Sequence, residues 1–213
     1  IFLQARMNSS RLPGKMLMEM QNQKTLLENV INRCKMCKMI DRIIVLTSND
    51  LSDQKIANFC KRNEIDVFRG SLDNVYERYV DCIRHYKVDA FVRICGDSPF
   101  MSHKLIDYSI NIFQRKQADL VSNIYRKTFP SGQSVEVVSA EYFCSKKHFC
   151  SKNFSREHVT QGLYNLVGNS ISVETIDCSQ KLKLSIDTKE DFSLINQFLD
   201  ECDSEYFEPS IDK

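Results

Sequence analysis

The chain opens Ile1-Phe-Leu-Gln-Ala-Arg-Met-Asn-Ser-Ser-Arg-Leu-Pro-Gly-Lys15. Ile1 to Leu3 is an apolar run of the kind that forms a buried strand. The character then changes abruptly, with Arg6, Arg11 and Lys15 set among Ser9, Ser10 and Gly14. Small residues let backbone N–H groups turn toward a ligand, and Arg and Lys add fixed positive charge beside them. Such a loop after the first strand of an α/β sheet suits a polyphosphate. It is not a Walker loop, because the Gly-x-x-x-x-Gly-Lys-Ser/Thr spacing is absent. On charge alone, a plain exposed basic loop remains the alternative.

Beyond the loop, strands and helices alternate. Thr25 to Cys37 reads as a helix, with Leu26, Leu27, Val30, Ile31 and Cys34 on one face. Ile43 to Leu46 is a buried-strand run, and Ser48-Asn-Asp50 supplies turn and cap chemistry. Gln54 to Arg62 is a helix and Asp66 to Phe68 a strand. A helix from Asn74 to Tyr86 follows Gly70-Ser71-Leu72-Asp73. Ala90 to Ile94 is a strand ending in Gly96-Asp97-Ser98-Pro99, Lys104 to Gln114 a helix, and Asp119 to Ser122 a strand. This rhythm implies parallel β-α-β units with right-handed crossovers. Ligands of such sheets bind beyond the carboxyl ends of the strands. The loops at 6–15, 70–73 and 96–99 all lie there.

Residues 124–168 break the rhythm and are expected to form a substrate-side lobe over the crevice. Phe129-Pro-Ser-Gly132 is a turn in it, Val135 to Val138 a strand, and Asn153 to Tyr164 contains a helix. The main sheet is expected to resume with Ile171 to Ile176 and Leu182 to Ile186. A last helix runs through Leu199, and residues 203–213 form a loosely held tail. The expected architecture is therefore one domain, residues 1–213, of the Rossmann-like three-layer α/β/α class with a mostly parallel sheet.

A chain of 213 residues with 42% apolar residues is enough for a real core and argues against disorder. Lys and Arg number 29 against 28 Asp and Glu, so no basic surface for nucleic acid is indicated. No apolar run approaches a membrane span, and no secretory leader is recognisable. A cytoplasmic protein is expected, and assembly as a homodimer is left open. Nine Cys, an odd number, fit reduced thiols in that compartment. Cys34-Lys-Met-Cys37 lacks the second ligand pair of a zinc knuckle, and both Cys are assigned to a helix end.

Two carboxylates follow strands, Asp97 in Gly-Asp-Ser-Pro and Asp187 in Ser185-Ile-Asp-Thr-Lys-Glu-Asp191. A hard cation bridging phosphates wants one or two carboxylates. The structural alternatives are a turn Asp before Pro for Asp97 and a helix N-cap with Glu190 for Asp187. In Arg156-Glu-His-Val-Thr160, Arg156 is suited to a bidentate grip on a carboxylate. His158 suits either a sugar hydroxyl or packing within a helix. Glu136 lies in an apolar strand and must face solvent or have a partner. Arg78 faces either phosphates or solvent.

Six segments, in order, resemble the sugar-activating cytidylyltransferases, the group that makes CMP-sialic acid and CMP-Kdo, in the branch named after spore-coat polysaccharide biosynthesis. They are the opening loop, Phe68-Arg-Gly-Ser71 with Asp73-Asn-Val-Tyr-Glu-Arg-Tyr79, Arg93-Ile-Cys-Gly-Asp-Ser-Pro99, Ala118-Asp-Leu-Val-Ser-Asn123, Ser155-Arg-Glu-His-Val-Thr160 and Leu184-Ser-Ile-Asp-Thr-Lys-Glu-Asp-Phe192. The resemblance implies an enzyme that uses CTP, a sugar acid and Mg2+ to give a CMP-sugar and pyrophosphate. It implies that Arg6, Ser10, Arg11 and Lys15 hold the triphosphate, with Gln4 and Ala5 joining the nucleotide site. Gly70, Ser71 and Arg78 would lie near cytosine and ribose. Asp97 and Asp187 would bind Mg2+, acting with Arg6 and Lys15 in catalysis. Asn123, Glu136, Arg156 and His158 would face the sugar acid. One departure lies on that side: relatives usually carry Asp-Gly-Leu-Asp where this chain has Ser131-Gly-Gln-Ser134.

Overall fold

The computed structural model describes residues 1–124, 126, 128–146, 159–164, 166, 169–174 and 182–201. Its centre is β1 (Phe2–Gln4), the short apolar run at the start of the chain. Leu3 lies opposite Val45 of β2 (Ile44–Ser48) on one side and Ile94 of β4 (Ala90–Cys95) on the other. β3 (Asp66–Gly70), β5 (Leu120–Ser122), β6 (Glu136–Ser139) and β7 (Ser170–Ser172) complete a seven-stranded sheet of order β3-β2-β1-β4-β6-β5-β7. Every neighbouring pair is parallel except those made by β6, which is antiparallel to β4 and β5.

Helices cover both faces, as the alternation of the strands demands. Leu3, Val45, Ile94, Val121 and Val137 point to one face, against α1 (Leu26–Lys35), α2 (Gln54–Arg62), α4 (His103–Lys116) and α6 (Lys189–Glu201). Phe2, Ile44, Leu46, Phe91, Leu120 and Val138 point to the other, against α3 (Val75–Tyr86) and α5 (Ala140–Ser145). Local signals fix the helix starts. Thr25, Asn74, Ser102 and Ser139 each accept a backbone N–H of the first turn through the side chain. The result is a three-layer α/β/α fold.

Two expectations are corrected. The strand at 135–138 does not belong to a lobe. As β6 it fills the gap between β4 and β5, and α5 covers it. Leu182 to Ile186 is no strand of the sheet. Leu184 N–H bonds Ser131 C=O at 2.7 Å and Ile186 N–H bonds Asp97 C=O at 2.9 Å, so the segment crosses the strand ends. Burial of Leu184, Ser185 and Ile186 along that path produces the same apolar pattern as a strand. The cap of the last helix, set out as the structural alternative for Asp187, falls on Thr188 instead. Thr188 Oγ1 accepts Asp191 N–H while Asp191 Oδ2 accepts Thr188 N–H, a reciprocal capping box that leaves the Asp187 side chain out of it. Of the helix expected within 153–164, residues 153–158 lie outside the described residues, and Gln161–Leu163 form a single 3₁₀ turn. The tail at 203–213 is also outside them.

Candidate functional site

The ends of β1 and β4 and the crossing segment 182–187 meet at one crevice. Gly96 N–H bonds Gln4 C=O at 2.9 Å. A Cβ on Gly96 would lie 3.0 Å from both Gln4 O and Met16 Sδ, so glycine permits this close approach. Gly14 has φ +79°, which turns the opening loop into the 3₁₀ turn Lys15–Leu17 and directs Lys15 inward.

Lys15 is 6% exposed. Its ammonium donates to Asp97 Oδ2 at 2.9 Å and to Ile186 C=O at 2.6 Å, and lies 3.6 Å from Asp187 Oδ1. Arg11 Nη2 reaches Asp187 Oδ1 at 2.9 Å, and Lys183 Nζ reaches Asp187 Oδ2 at 3.3 Å. Asp97 and Asp187, separated by ninety positions in sequence, thus converge on one ammonium. Asp191 steadies this edge by accepting the N–H of Asp187 at 2.9 Å and the ammonium of Lys183 at 2.5 Å. Burial opposes the charge of Asp191, but Lys183 and those backbone N–H groups outweigh it and hold its carboxyl below the usual range.

The cavity here has a volume of about 310 Å³. Gln4, Ala5, Arg6, Ser10, Arg11 and Lys15 line it from the loop side, and Asp97 and Asp187 from the other. All eight were expected at the site from the sequence. Arg93 and Cys95 form its floor and were missed as site residues. Burial pushes the Cys95 thiol up to about 11, so it is a neutral thiol near pH 7. Burial works against the charge of Arg93, but Cys95, Glu136 and Tyr79 more than offset it and raise its pKa well above the ordinary value.

Other expected residues sit elsewhere. Arg78 does not line this cavity. It is buried, and its Nε and Nη2 donate to Ser71 C=O at 2.9 and 2.6 Å, bracing the turn at Gly70-Ser71. Asn123 is 3% exposed and bridges the chain, donating to Gln133 C=O at 2.6 Å and accepting Val135 N–H at 2.9 Å. Glu136 is fully buried, 2.5 Å from Arg93 Nη1, and accepts the Tyr164 hydroxyl. Burial first, then the Glu136 charge, keeps that phenol protonated as a donor. The side chains of Asn123 and Glu136 are therefore braces beneath the crevice rather than groups open to a sugar. A charged residue in an apolar strand was the one sequence signal for the Glu136 pair. Arg156 and His158 lie outside the described residues.

The departure at Ser131-Gly-Gln-Ser134 is structural as well. Gly132 has φ +96° and packs so closely that a Cβ would meet the Leu184 carbonyl carbon at 2.5 Å. Gln133 donates to Phe100 C=O at 2.6 Å and accepts Ser102 N–H at 2.9 Å. Ser131 Oγ meets Ser185 Oγ at 2.8 Å. The segment pins the crossing segment 182–187 over the crevice.

Asp97 and Asp187 fit a hard divalent cation. Among the described residues no group of three or more His, Cys, Asp or Glu side chains forms a metal cage. A cation that completes its shell with phosphate oxygens and waters needs only one or two carboxylates. Burial raises the thiol pKa of both Cys34 and Cys37, away from the thiolate form that binds metals. Among the described residues no helix is long and apolar enough to cross a membrane.

Residues 1–209 match the family model described as cytidylyltransferase. The chain is 30% identical over 203 residues to the spore coat polysaccharide biosynthesis protein SpsF of Bacillus subtilis, covering 91% of this chain and 82% of that protein. A cytidylyltransferase structure from Leptospira borgpetersenii superimposes with a TM-score of 0.89 at 28% identity, covering 97% of this chain and 88% of that one. A CMP:2-keto-3-deoxy-manno-octonic acid synthetase complexed with CTP shares the fold, with a TM-score of 0.70 at 12% identity over 94% of this chain and 97% of that one. With a family match over nearly its whole length, the chain belongs to the cytidylyltransferase family.

Proposed function

We propose that the protein transfers CMP from CTP to a sugar acid of the nonulosonic-acid or Kdo kind, giving a CMP-sugar and pyrophosphate for surface polysaccharide or glycan synthesis in the cytoplasm. One observation carries this reading: two carboxylates from distant segments converge on the Lys15 ammonium beside a loop bearing Arg6 and Arg11. The six described free cysteines suit a reducing compartment.

Arg6, Ser10, Arg11 and Lys15 bind the triphosphate and neutralise charge as it builds on the departing pyrophosphate. The turn at Gly70-Ser71, braced by Arg78, reads cytosine with backbone groups. Asp97 and Asp187 are the residues that would hold Mg2+. When bound, the metal supplies Lewis-acid polarisation of phosphate oxygens. Arg156 grips the acceptor carboxylate and His158 meets a hydroxyl, which orients the anomeric hydroxyl for in-line attack on the α-phosphorus. The protein's work is positioning and charge neutralisation, with no covalent intermediate.

The test is pyrophosphate release across panels of nucleotides and acceptors. Release with CTP and a sugar acid is expected. Release only with a sugar phosphate or polyol phosphate would replace the acceptor class, and no release with any pair would end the enzymatic reading.

A further inference from the structure

Asp53 is a buried carboxylate that the chemistry above leaves unused. It is 1% exposed and closes the 3₁₀ turn Leu51–Asp53 between β2 and α2. Its two oxygens serve two segments. Oδ1 accepts the N–H of Met7 at 2.7 Å, and Oδ2 accepts the N–H of Ser48 at 3.0 Å together with the Ser48 hydroxyl. All three donors are neutral. A buried charge is costly unless hydrogen-bonded, and bonds to an ionised acceptor are the strong ones.

The bond falls at the hub of the opening loop. Met7 C=O accepts Ser9 N–H at 3.0 Å and Gly14 N–H at 2.8 Å. Gly14 leads directly into Lys15, and Met7 directly follows Arg6. One residue, Met7, thus ties the two ends of the loop together through its C=O, and Asp53 anchors the same residue to the end of β2 through its N–H. Arg6 and Asp53 both act on the charge of Arg78, in opposite directions, which places all three in one electrostatic neighbourhood.

We propose that Asp53 is a positioning residue for the nucleotide. By holding the Met7 amide it sets Arg6, Arg11 and Lys15 in their triphosphate-binding places before CTP arrives. Binding then does not have to order the loop, and affinity is gained by that preorganisation. The inference rests on the reading that this loop holds the triphosphate.

Asp53→Asn keeps the shape but leaves one accepting oxygen and turns an NH2 toward a donor. Calorimetry with CTP and with cytidine, on the wild type, Asp53→Asn and Ser48→Ala, separates the roles. Positioning predicts that Asp53→Asn weakens CTP about ten-fold or more while cytidine, which has no phosphates, changes less than about two-fold. Ser48→Ala removes a donor from the other oxygen and is expected to leave CTP within about two-fold. A purely structural staple predicts instead that CTP and cytidine weaken together in both variants, and that result overturns the proposal, as does unchanged CTP affinity in Asp53→Asn. Amide exchange of the nucleotide-free wild type covers the case in which the variant fails to fold. The Met7 and Gly14 amides are expected to be protected, and fast exchange at both would refute a preformed loop. A wild type that binds no CTP removes the triphosphate reading itself, and the role of Asp53 with it.

Discussion

Two charge clusters lie side by side at the strand ends and handle their charges in opposite ways. In the first, Asp97 and Asp187 keep 25% and 21% of their side-chain surface in solvent, and Arg11 keeps 61%. In the second, Arg93 and Glu136 keep 6% and 1%. The outer pair of the first, Arg11 with Asp187, is wet enough to exchange partners, because exposed ion pairs contribute little stability and hold nothing rigidly. Lys15 behind it keeps only 7% of its side-chain surface in solvent and is also held by the Ile186 carbonyl. The pair of the second is dry, and removing one member would strand a charge in a medium that cannot solvate it. The crevice therefore has a labile rim where ligand phosphates can displace the pairing, above a floor whose charge is fixed by the fold.

The largest effect expected from this contrast is at Glu136. Glu136→Gln removes the buried carboxylate 2.5 Å from Arg93, a loss of about 3–5 kcal/mol in stability. Denaturant titration should show the midpoint falling, with CTP affinity retained where the variant is folded. A fully stable Glu136→Gln would break the distinction between rim and floor.

Asp97→Asn is expected to do the reverse. Its melting temperature should change little, since Asp97 is partly solvated, while turnover falls by about 100-fold or more. Steady-state rates and thermal melts on one preparation check this. Equal loss of stability and turnover would place Asp97 with the structural pairs.

Arg156→Ala comes next in size. If Arg156 clamps the acceptor carboxylate, the acceptor KM rises by about ten- to a hundred-fold, equivalent to about 1.5–3 kcal/mol, with CTP affinity nearly unchanged. If it pairs with Glu157 or another acid instead, melting temperature and both affinities fall together.

The smallest effect concerns Cys95 on the floor. Because burial disfavours its thiolate and lifts the pKa to about 11, roughly one thiol in a thousand is ionised at pH 8. Alkylation followed by peptide mass mapping should find Cys95 slow at pH 8 and faster as pH approaches 11. Rapid labelling at pH 8 would show that the floor is open to water.

The rim was far more legible in the sequence than the floor. Gln4 to Lys15 is one contiguous stretch, and Asp97 and Asp187 each follow an apolar segment, so charge type and position sufficed. The floor depends on strand order, which local pattern does not carry. Val135 to Val138 was readable as a strand, yet nothing in it says that it inserts antiparallel between β4 and β5 and sets Glu136 opposite Arg93. Asp53 was hidden for the same reason, because its partner Met7 is 46 residues away. Leu182 to Ile186 misled because a buried crossing segment and a strand share one apolar pattern. The helix cap was legible only to within one residue, since Asp187 and Thr188 are both good caps and only the Asp191 N–H donating to Thr188 Oγ1 separates them.

As proposed, the labile rim is a CTP site. Thermal-shift titration of the wild type with CTP, ATP, GTP and UTP, each with Mg2+, tests it most directly. Selective stabilisation by CTP is predicted, about 2.7 kcal/mol at a hundred-fold excess over Kd. Equal stabilisation by ATP, or none by CTP, would rule out a cytosine-selective nucleotide site at the rim.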